Sequence, residues 1–260
     1  MKELLTRYIK DVMKEFPATQ KVLTEFGIGC TSCNLGICLL KDIVDIHNLS
    51  QENELKLWQK IGEIVFAGQK FEIPKIERKV KQKSNDTQFC PPIRELVDEH
   101  KVIMRLINKI PALLKTIDLK QEADKQILRN AIDFIRMYAD AFHHAKEEKI
   151  LFGFFDPASD IIASFLKEHD IGRGYVRATV EGINIGNAIA VAENLTAYGA
   201  LLTEHIKKED EILYPWMNRS LSDSQVGQLF SKFAQVNEEY RVSAAQQVAF
   251  VEKLDKKLSQ

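Results

Sequence analysis

Residues 143–152 have the sequence HHAKEEKILF, and residues 205–215 have the sequence HIKKEDEILYP. These two stretches give the clearest indication of the fold. Apolar residues recur around both at steps of three or four, which is the pattern of one face of an amphipathic helix. Residues four apart lie on the same helix face. The core-facing stripes are therefore expected to carry two histidine–glutamate pairs, His143 with Glu147 and His205 with Glu209.

Two further amphipathic segments carry one histidine each on the apolar face, His100 in the first helix and His169 in the third. None of the four apolar stripes contains a lysine or arginine. Burying a carboxylate without a compensating charge is very costly. Imidazoles combined with carboxylates are the ligands of iron, zinc or manganese. The sequence therefore predicts a metal site in the core.

The four histidines also share one level in the predicted bundle. When helix directions alternate, the first and third helices start at the end where the second and fourth finish. At a rise of 1.5 Å per residue, His100, His143, His169 and His205 all lie roughly 10–15 Å from that end. Ordinary core packing does not require this agreement, so it favours a single shared site.

The remaining histidines are interpreted differently. His144 and Glu148 repeat the spacing one residue later, but they are turned about 100° away from the stripe. They are therefore expected beside the ligands or at the surface. His47 follows Ile46 and is predicted to be a helix-end residue.

The composition favours an all-α, cytoplasmic protein. Glycine (12) and proline (7) are scarce among 260 residues, which indicates few turns and long helices. A net charge of −1 argues against nucleic-acid binding. No apolar run approaches the roughly 20 residues of a membrane-spanning helix. The charged start MKELLTRYIKDVMKEF does not resemble a signal peptide.

Three segments are predicted. Residues 1–72 form a small helical cysteine-bearing domain, with helices over 2–15, 18–26, 39–46 and 51–66. Residues 73–92 form a linker with three prolines and a basic run. Residues 93–260 form an up-down-up-down four-helix bundle with a C-terminal helical extension. Its helices are predicted over 93–110, 118–151, 161–183 with a break near 172–174, and 187–214, followed by a helix that begins at the capping box 222–225.

The cysteines leave two interpretations open. Cys30, Cys33 and Cys38 surround a glycine-containing loop, and Cys90 lies in the linker. The three local thiols could be redox-active or could bind a metal or cluster, with Cys90 as a fourth ligand. Alternatively, they are small core residues.

Several motifs together resemble a hemerythrin-like (HHE cation-binding) domain over roughly residues 90–220. Both quoted stretches have the form His-x-x-x-Glu-acid-x-Ile-Leu-aromatic, and DEHKVIMRLI surrounds His100 while KEHD surrounds His169. Four histidines with two glutamates are closest to the repair-of-iron-centres family. These are di-iron proteins linked to restoring iron–sulfur clusters after nitrosative or oxidative damage. The resemblance implies two iron ions, with Glu147 and Glu209 as bridging ligands and four terminal ligands: His100, His143, His169 and His205.

The N-terminal stretch FPATQKVLTEFGIGCTSC (residues 16–33) resembles the small cysteine-bearing domain of the same family. It resembles still more a related cysteine-bearing domain of unknown function found beside hemerythrin-like domains. The repair proteins typically have adjacent cysteines in this loop. This chain instead has the spacing Cys-x2-Cys-x4-Cys.

The resemblance implies a role in nitrosative or oxidative stress, through iron–sulfur cluster repair or NO and O2 chemistry. Two alternatives remain open: an O2- or NO-binding sensor or carrier, and a dithiol-coupled di-iron oxidase or peroxidase. Whether the protein is an enzyme stays open. The expected partners are O2, NO or peroxide, an iron–sulfur client protein and an electron donor, with no nucleic acid and no membrane. A homodimer is compatible with the sequence, which does not determine the oligomeric state.

Overall fold

The computed structural model describes residues 1–28, 39–47, 49–73 and 89–258. Within these ranges the helices are joined by turns and irregular segments, and one isolated antiparallel bridge links Tyr8 and Leu39. The predicted all-α, hemerythrin-like bundle class is confirmed. None of the described helices is both long enough and apolar enough to cross a membrane.

The chain divides into two compact units. One comprises Met1–Gln88 with Lys208–Ser220, and the other comprises Phe89–Lys207 with Leu221–Gln260. The division falls inside a continuous helical stretch that runs from Ala188 to Ser220. The predicted linker stays a prediction, because residues 74–88 lie outside the described ranges.

The first unit is built from short helices around an apolar cluster that includes Ile9, Leu23 and Trp58. Its helices are α1 (Lys2–Leu5), α2 (Ile9–Glu15), α3 (Ala18–Glu25), α4 (Ile43–Ile46) and α5 (Gln51–Phe66). The later segment adds α10 (Tyr214–Ser220).

The prediction of one helix over residues 2–15 is wrong, because the chain bends between α1 and α2. The backbone amides of Leu40 and Lys41 donate to the carbonyls of Arg7 and Leu5. This long-range pairing uses carbonyls that a continuous helix would bond internally.

The predicted start and end of α5 are confirmed. The Ser50 hydroxyl accepts the Asn53 amide as an N-cap, and Gly68 follows the helix with a positive φ of 85°.

The second unit starts with α6 (Pro91–Thr116), which has prolines in its first turn. The prediction that this helix ends before Pro111 is wrong, since Pro111 lies inside it. Ile110 and Leu113 on either side are buried in the core. Packing of these residues holds the last turns in the helical conformation despite the hydrogen bond that proline cannot make.

The second long helix changes its winding where the histidines occur. It begins as α7 (Glu122–Phe134) and continues as π-helix over Ile135–His144 and Glu147–Leu151. A short 3-10 turn, Phe152–Phe154, ends it. Asp118 caps a turn before the helix, so the helix starts four residues later than predicted.

The third helix, α8 (Asp160–Ile185), is continuous, and the predicted break near residues 172–174 does not occur. A Cβ atom at Gly172 would lie 3.6 Å from the ring of Tyr198, which is an ordinary van der Waals distance, so the helix continues through this glycine without a special packing requirement. The helix ends at Gly186, which has a φ of 69°.

The fourth helix is α9 (Ala188–Lys208), which continues as π-helix over Glu209–Leu213. The final helix, α11 (Asp223–Leu258), begins at the predicted capping box, in which Ser222 and Gln225 bond each other's backbone amides. Arg105 of α6 forms an ion pair with Asp255 of α11 at 2.7 Å, which ties the extension to the bundle.

Candidate metal centre

The six predicted ligands lie on the four long helical stretches, and each is at least 98% buried. His100 lies on α6, His169 on α8 and His205 on α9. His143 and Glu147 lie in the π-helical parts of the second helix, and Glu209 begins the π-helical continuation of α9.

Ligand atoms of these residues converge in overlapping groups whose members lie within 4.8 Å of one another. One group contains His100 and His143, and another contains Glu147 and His169. A third group consists of His144 with His169 and His205. Five of the six predicted residues lie in the second unit and occur among these groups, whereas Glu209 belongs to the segment Lys208–Ser220 of the first unit.

Glu147 lies between two imidazoles. Its Oε2 atom is 3.7 Å from His143 Nε2 and 3.6 Å from His169 Nε2. A fully buried carboxylate between two ring nitrogens is a potential metal ligand. The distances are longer than metal–ligand bonds of about 2 Å, and leave room for an ion between the atoms.

Three outer carboxylates orient the imidazoles. The Nδ1–H group of His143 donates to Glu99 at 2.8 Å, that of His169 to Glu148 at 2.6 Å, and that of His205 to Glu168 at 2.8 Å. Metal-bound histidines typically donate their second ring nitrogen to a carboxylate in this manner. In a neutral imidazole that donates from Nδ1, the Nε2 atom is an acceptor.

The Nε2 atoms of His169 and His205 lie 2.9 Å apart. Two acceptor lone pairs at that separation repel each other unless a proton or a cation lies between them. Acceptor nitrogens and buried carboxylates thus face the same space. Because both are typical metal ligands, the residues present fit a metal ion.

His144 differs from the prediction, because it is buried and stacks on His169 with ring centroids 3.9 Å apart. The π-helical winding explains this result. Its hydrogen bonds span five residues rather than four, so each turn is wider and neighbouring side chains diverge less in direction. Both His143 and His144 can then face the core, which an α-helical projection does not show.

Glu148, also expected beside the ligands or at the surface, is the acceptor for His169. Arg173 donates to the same carboxylate at 2.6 Å and to Asp140 at 2.7 Å. Burial acts to raise the pKa of Asp140, but hydrogen bonds from His144 and Arg173 outweigh it and hold the pKa well below its usual range. This side of the site therefore carries an ionised, paired network.

On another side, Lys146 is completely buried and contacts Glu95 and Glu99. Burial raises the pKa of Glu99 to about 7, and the Lys146 ammonium counteracts part of that shift. Sequence reasoning missed Lys146, which lies off the apolar stripe. The only available signal was its position between His143 and Glu147.

A small pocket adjoins the imidazoles of His144, His169 and His205. Its wall also includes Tyr198, whose pKa is raised by burial. The pocket is partly open, so a small ligand can approach these three histidines.

The other candidate residues lie elsewhere. Cys30, Cys33 and Cys38 are outside the described residues, and Cys90 is half-buried at the start of α6. His47 directly follows α4, and its amide bonds the Ile43 carbonyl, as expected of a helix-end residue. Burial, followed by the charge of Arg219, lowers its pKa.

The fold and this cluster define a class: an all-α bundle with histidines and carboxylates buried together. Residues 91–217 match the family model of the Hemerythrin HHE cation binding domain. The chain therefore contains a hemerythrin-like domain over these residues. No curated protein and no solved structure shows significant similarity to the chain. The closer relation to the repair-of-iron-centres family, and that of the N-terminal cysteine-bearing domain, stay predictions.

Proposed function

We propose that this protein holds a non-haem di-iron centre that reacts with NO, O2 or peroxide in the cytoplasmic response to nitrosative or oxidative stress. His100 and His143 would bind one iron, and His169 and His205 the other. Glu147 and Glu209 would bridge the two ions. His144 is a further donor beside the second pair.

The observation that carries this proposal is the position of Glu147. It is fully buried, and its carboxylate lies within 3.7 Å of imidazoles from two different helices. The family match over residues 91–217 supports cation binding independently of this geometry.

When bound, the iron ions would supply reversible one-electron chemistry and coordination positions for a small ligand. The protein side chains supply the rest. Glu99, Glu148 and Glu168 hold the imidazoles by their Nδ1–H groups, which directs the Nε2 atoms inward. The surrounding apolar core excludes bulk water from the ligands.

The pocket beside His144, His169 and His205 favours a second candidate function, that of an O2- or NO-binding sensor or carrier. Its small volume and direct access to the imidazoles suit a diatomic ligand.

The first test is metal analysis of protein purified without oxygen and offered ferrous iron. We expect two irons per chain for the wild type and for the control Glu204→Gln, whose side chain is exposed beside His205. Glu209→Gln is expected to retain fewer than two. A wild-type protein that retains no iron contradicts the proposal.

The second test separates the roles. The ferrous protein is mixed rapidly with NO, O2 or peroxide, and separately with an apo iron–sulfur protein. Iron transfer that restores the cluster supports repair, and repeated turnover supports an enzyme of NO or O2 chemistry. A long-lived adduct without turnover supports the sensor or carrier.

A further inference from the structure

Lys146 is an unusual residue for the interior of a bundle. Its side chain is 0% exposed, and it lies between His143 and Glu147 in the sequence. Moving an ammonium group out of water is expensive unless it is paired and hydrogen-bonded. A well-packed apolar side chain of similar size would often be at least as stable at such a position. The contacts of the Lys146 ammonium group therefore indicate the role of its charge.

Two carboxylates and two aromatic rings surround the ammonium group. It donates to Glu95 Oε1 at 2.6 Å and to Glu99 Oε1. It also lies 3.7 Å from the centroid of the Phe142 ring and 5.6 Å from that of Phe233, in cation–π positions. These contacts fix the ammonium group on several sides.

Glu99 uses its two oxygens for different partners. Oε1 accepts from Lys146, and Oε2 accepts from His143 Nδ1–H at 2.8 Å. The carboxylate is thus anchored at one oxygen and orients an imidazole with the other. The anchor extends to the C-terminal helix, because Asn237 of α11 donates to Glu95 at 2.9 Å.

The opposite side of the site has a comparable arrangement on different residues. Arg173 donates to Glu148, which accepts from His169 Nδ1–H. Arg173 is 29% exposed, however, whereas Lys146 is fully buried. Each of these two sides of the site therefore has a cation that holds an outer carboxylate.

We infer that Lys146 is a positioning residue of the metal centre: its buried ammonium anchors Glu99 in the orientation that directs His143 Nε2 towards the metal. The inference rests on the proposed function, because it assumes that His143 binds a metal. Lys146 contacts no metal itself and acts through Glu99 and His143. Substituting a residue of this outer kind typically lowers metal affinity 10–100-fold.

The experiment uses the full-length chain and Zn²⁺, which is diamagnetic and needs no redox control. Affinity is measured by competition with a chelator, and the His143 Nδ1–H proton is observed by NMR in the Zn²⁺-loaded protein. The variants are Lys146→Met, Glu99→Gln and their double mutant. Lys149→Met is the matched control, since Lys149 is exposed three residues further along the same segment.

We expect Lys146→Met and Glu99→Gln each to lower Zn²⁺ affinity about 10–100-fold. The double mutant is expected to bind Zn²⁺ no more weakly than the weaker-binding single variant, because both substitutions interrupt the same series of contacts from Lys146 through Glu99 to His143. The His143 Nδ1–H signal should shift or broaden in Lys146→Met, while the His169 Nδ1–H signal stays unchanged. Lys149→Met should leave affinity and both signals as in the wild type.

A purely structural role for Lys146 predicts lower unfolding stability with unchanged affinity and an unchanged His143 signal, and that result overturns the inference. If Lys146→Met does not fold, Lys146→Arg retains the charge and is expected to keep the His143 signal. Loss of that signal in folded Lys146→Arg also overturns it. A wild-type protein that binds no Zn²⁺ or iron contradicts the proposed function instead, so the two failures are distinguishable.

Discussion

Replacing Glu147 by glutamine should affect stability in opposite directions with and without metal. The glutamine side chain has nearly the same shape but no negative charge. Glu147 is fully buried, with its Oε2 atom 3.6 Å from His169 Nε2 and 3.7 Å from His143 Nε2. We therefore expect the carboxylate to destabilise the metal-free fold and to act as a ligand in the metal-loaded one.

The expected changes in the free energy of unfolding follow from the burial of this carboxylate and from the coupling between metal binding and folding. Without metal, removing a fully buried negative charge should raise the free energy of unfolding by about 1–3 kcal/mol. With metal at about 1,000 times its dissociation constant, binding stabilises the wild type by about 4 kcal/mol. A variant that no longer binds loses that contribution. For a domain of this size, 4 kcal/mol corresponds to roughly 8–16 °C in Tm.

The assay is thermal unfolding of wild type, Glu147→Gln and the exposed control Glu204→Gln, each with chelator and with anaerobic ferrous iron. We expect Glu147→Gln to have a higher Tm than the wild type in chelator and a lower one with iron. The control should follow the wild type in both. Equal shifts of Glu147→Gln in the two conditions would refute the reasoning, because the carboxylate would then have no part in binding metal.

Three further predictions concern the fold. Gly182→Ala should lower the free energy of unfolding, measured by urea denaturation, by about 1–2 kcal/mol, because the new Cβ would lie 2.9 Å from a Val191 methyl. An unchanged urea midpoint would contradict this close packing of Gly182 against Val191. Ser222→Ala should lower the free energy of unfolding by about 0.5–2 kcal/mol in the same assay, because it removes the capping box with Gln225. Amide exchange in the first turn of α11 should also accelerate, and an unaltered exchange rate would contradict this role. His47 should titrate below its ordinary pKa of 6.5 by NMR, because burial opposes its charged form. Since the folded state then binds fewer protons than the unfolded one, this histidine lowers stability as the pH falls below about 6.5; a midpoint at or above 6.5 contradicts it.

Helix positions were predicted best where local signals decide them. The start of α5 at Ser50 and of α11 at Ser222 depends on a cap that bonds amides of the first turn, which three or four residues suffice to specify. Pro111 was misjudged for the converse reason. The local penalty of proline is real, but burial of Ile110 and Leu113 outweighs it.

The site was predictable where it depends on helical spacing. The two histidine–glutamate pairs and the common level of the four helices follow from periodicity and from rise per residue. The structure brings those that lie in the second unit into groups within 4.8 Å, while the role of all six as metal ligands stays a prediction. The thiols of Cys30, Cys33 and Cys38 lie outside the described residues, and their role also stays a prediction.

By itself, the sequence determined the helical class, the sparse turns and the histidines and glutamates that face inward, because these depend on contacts between residues three or four apart. Only the tertiary structure decided that His144 also turns inward and that Lys146 is buried against Glu99. The first outcome accompanies the π-helical winding over Ile135–His144, and the second depends on a carboxylate supplied by another helix. Such contacts join residues more than forty positions apart, and no local pattern records them.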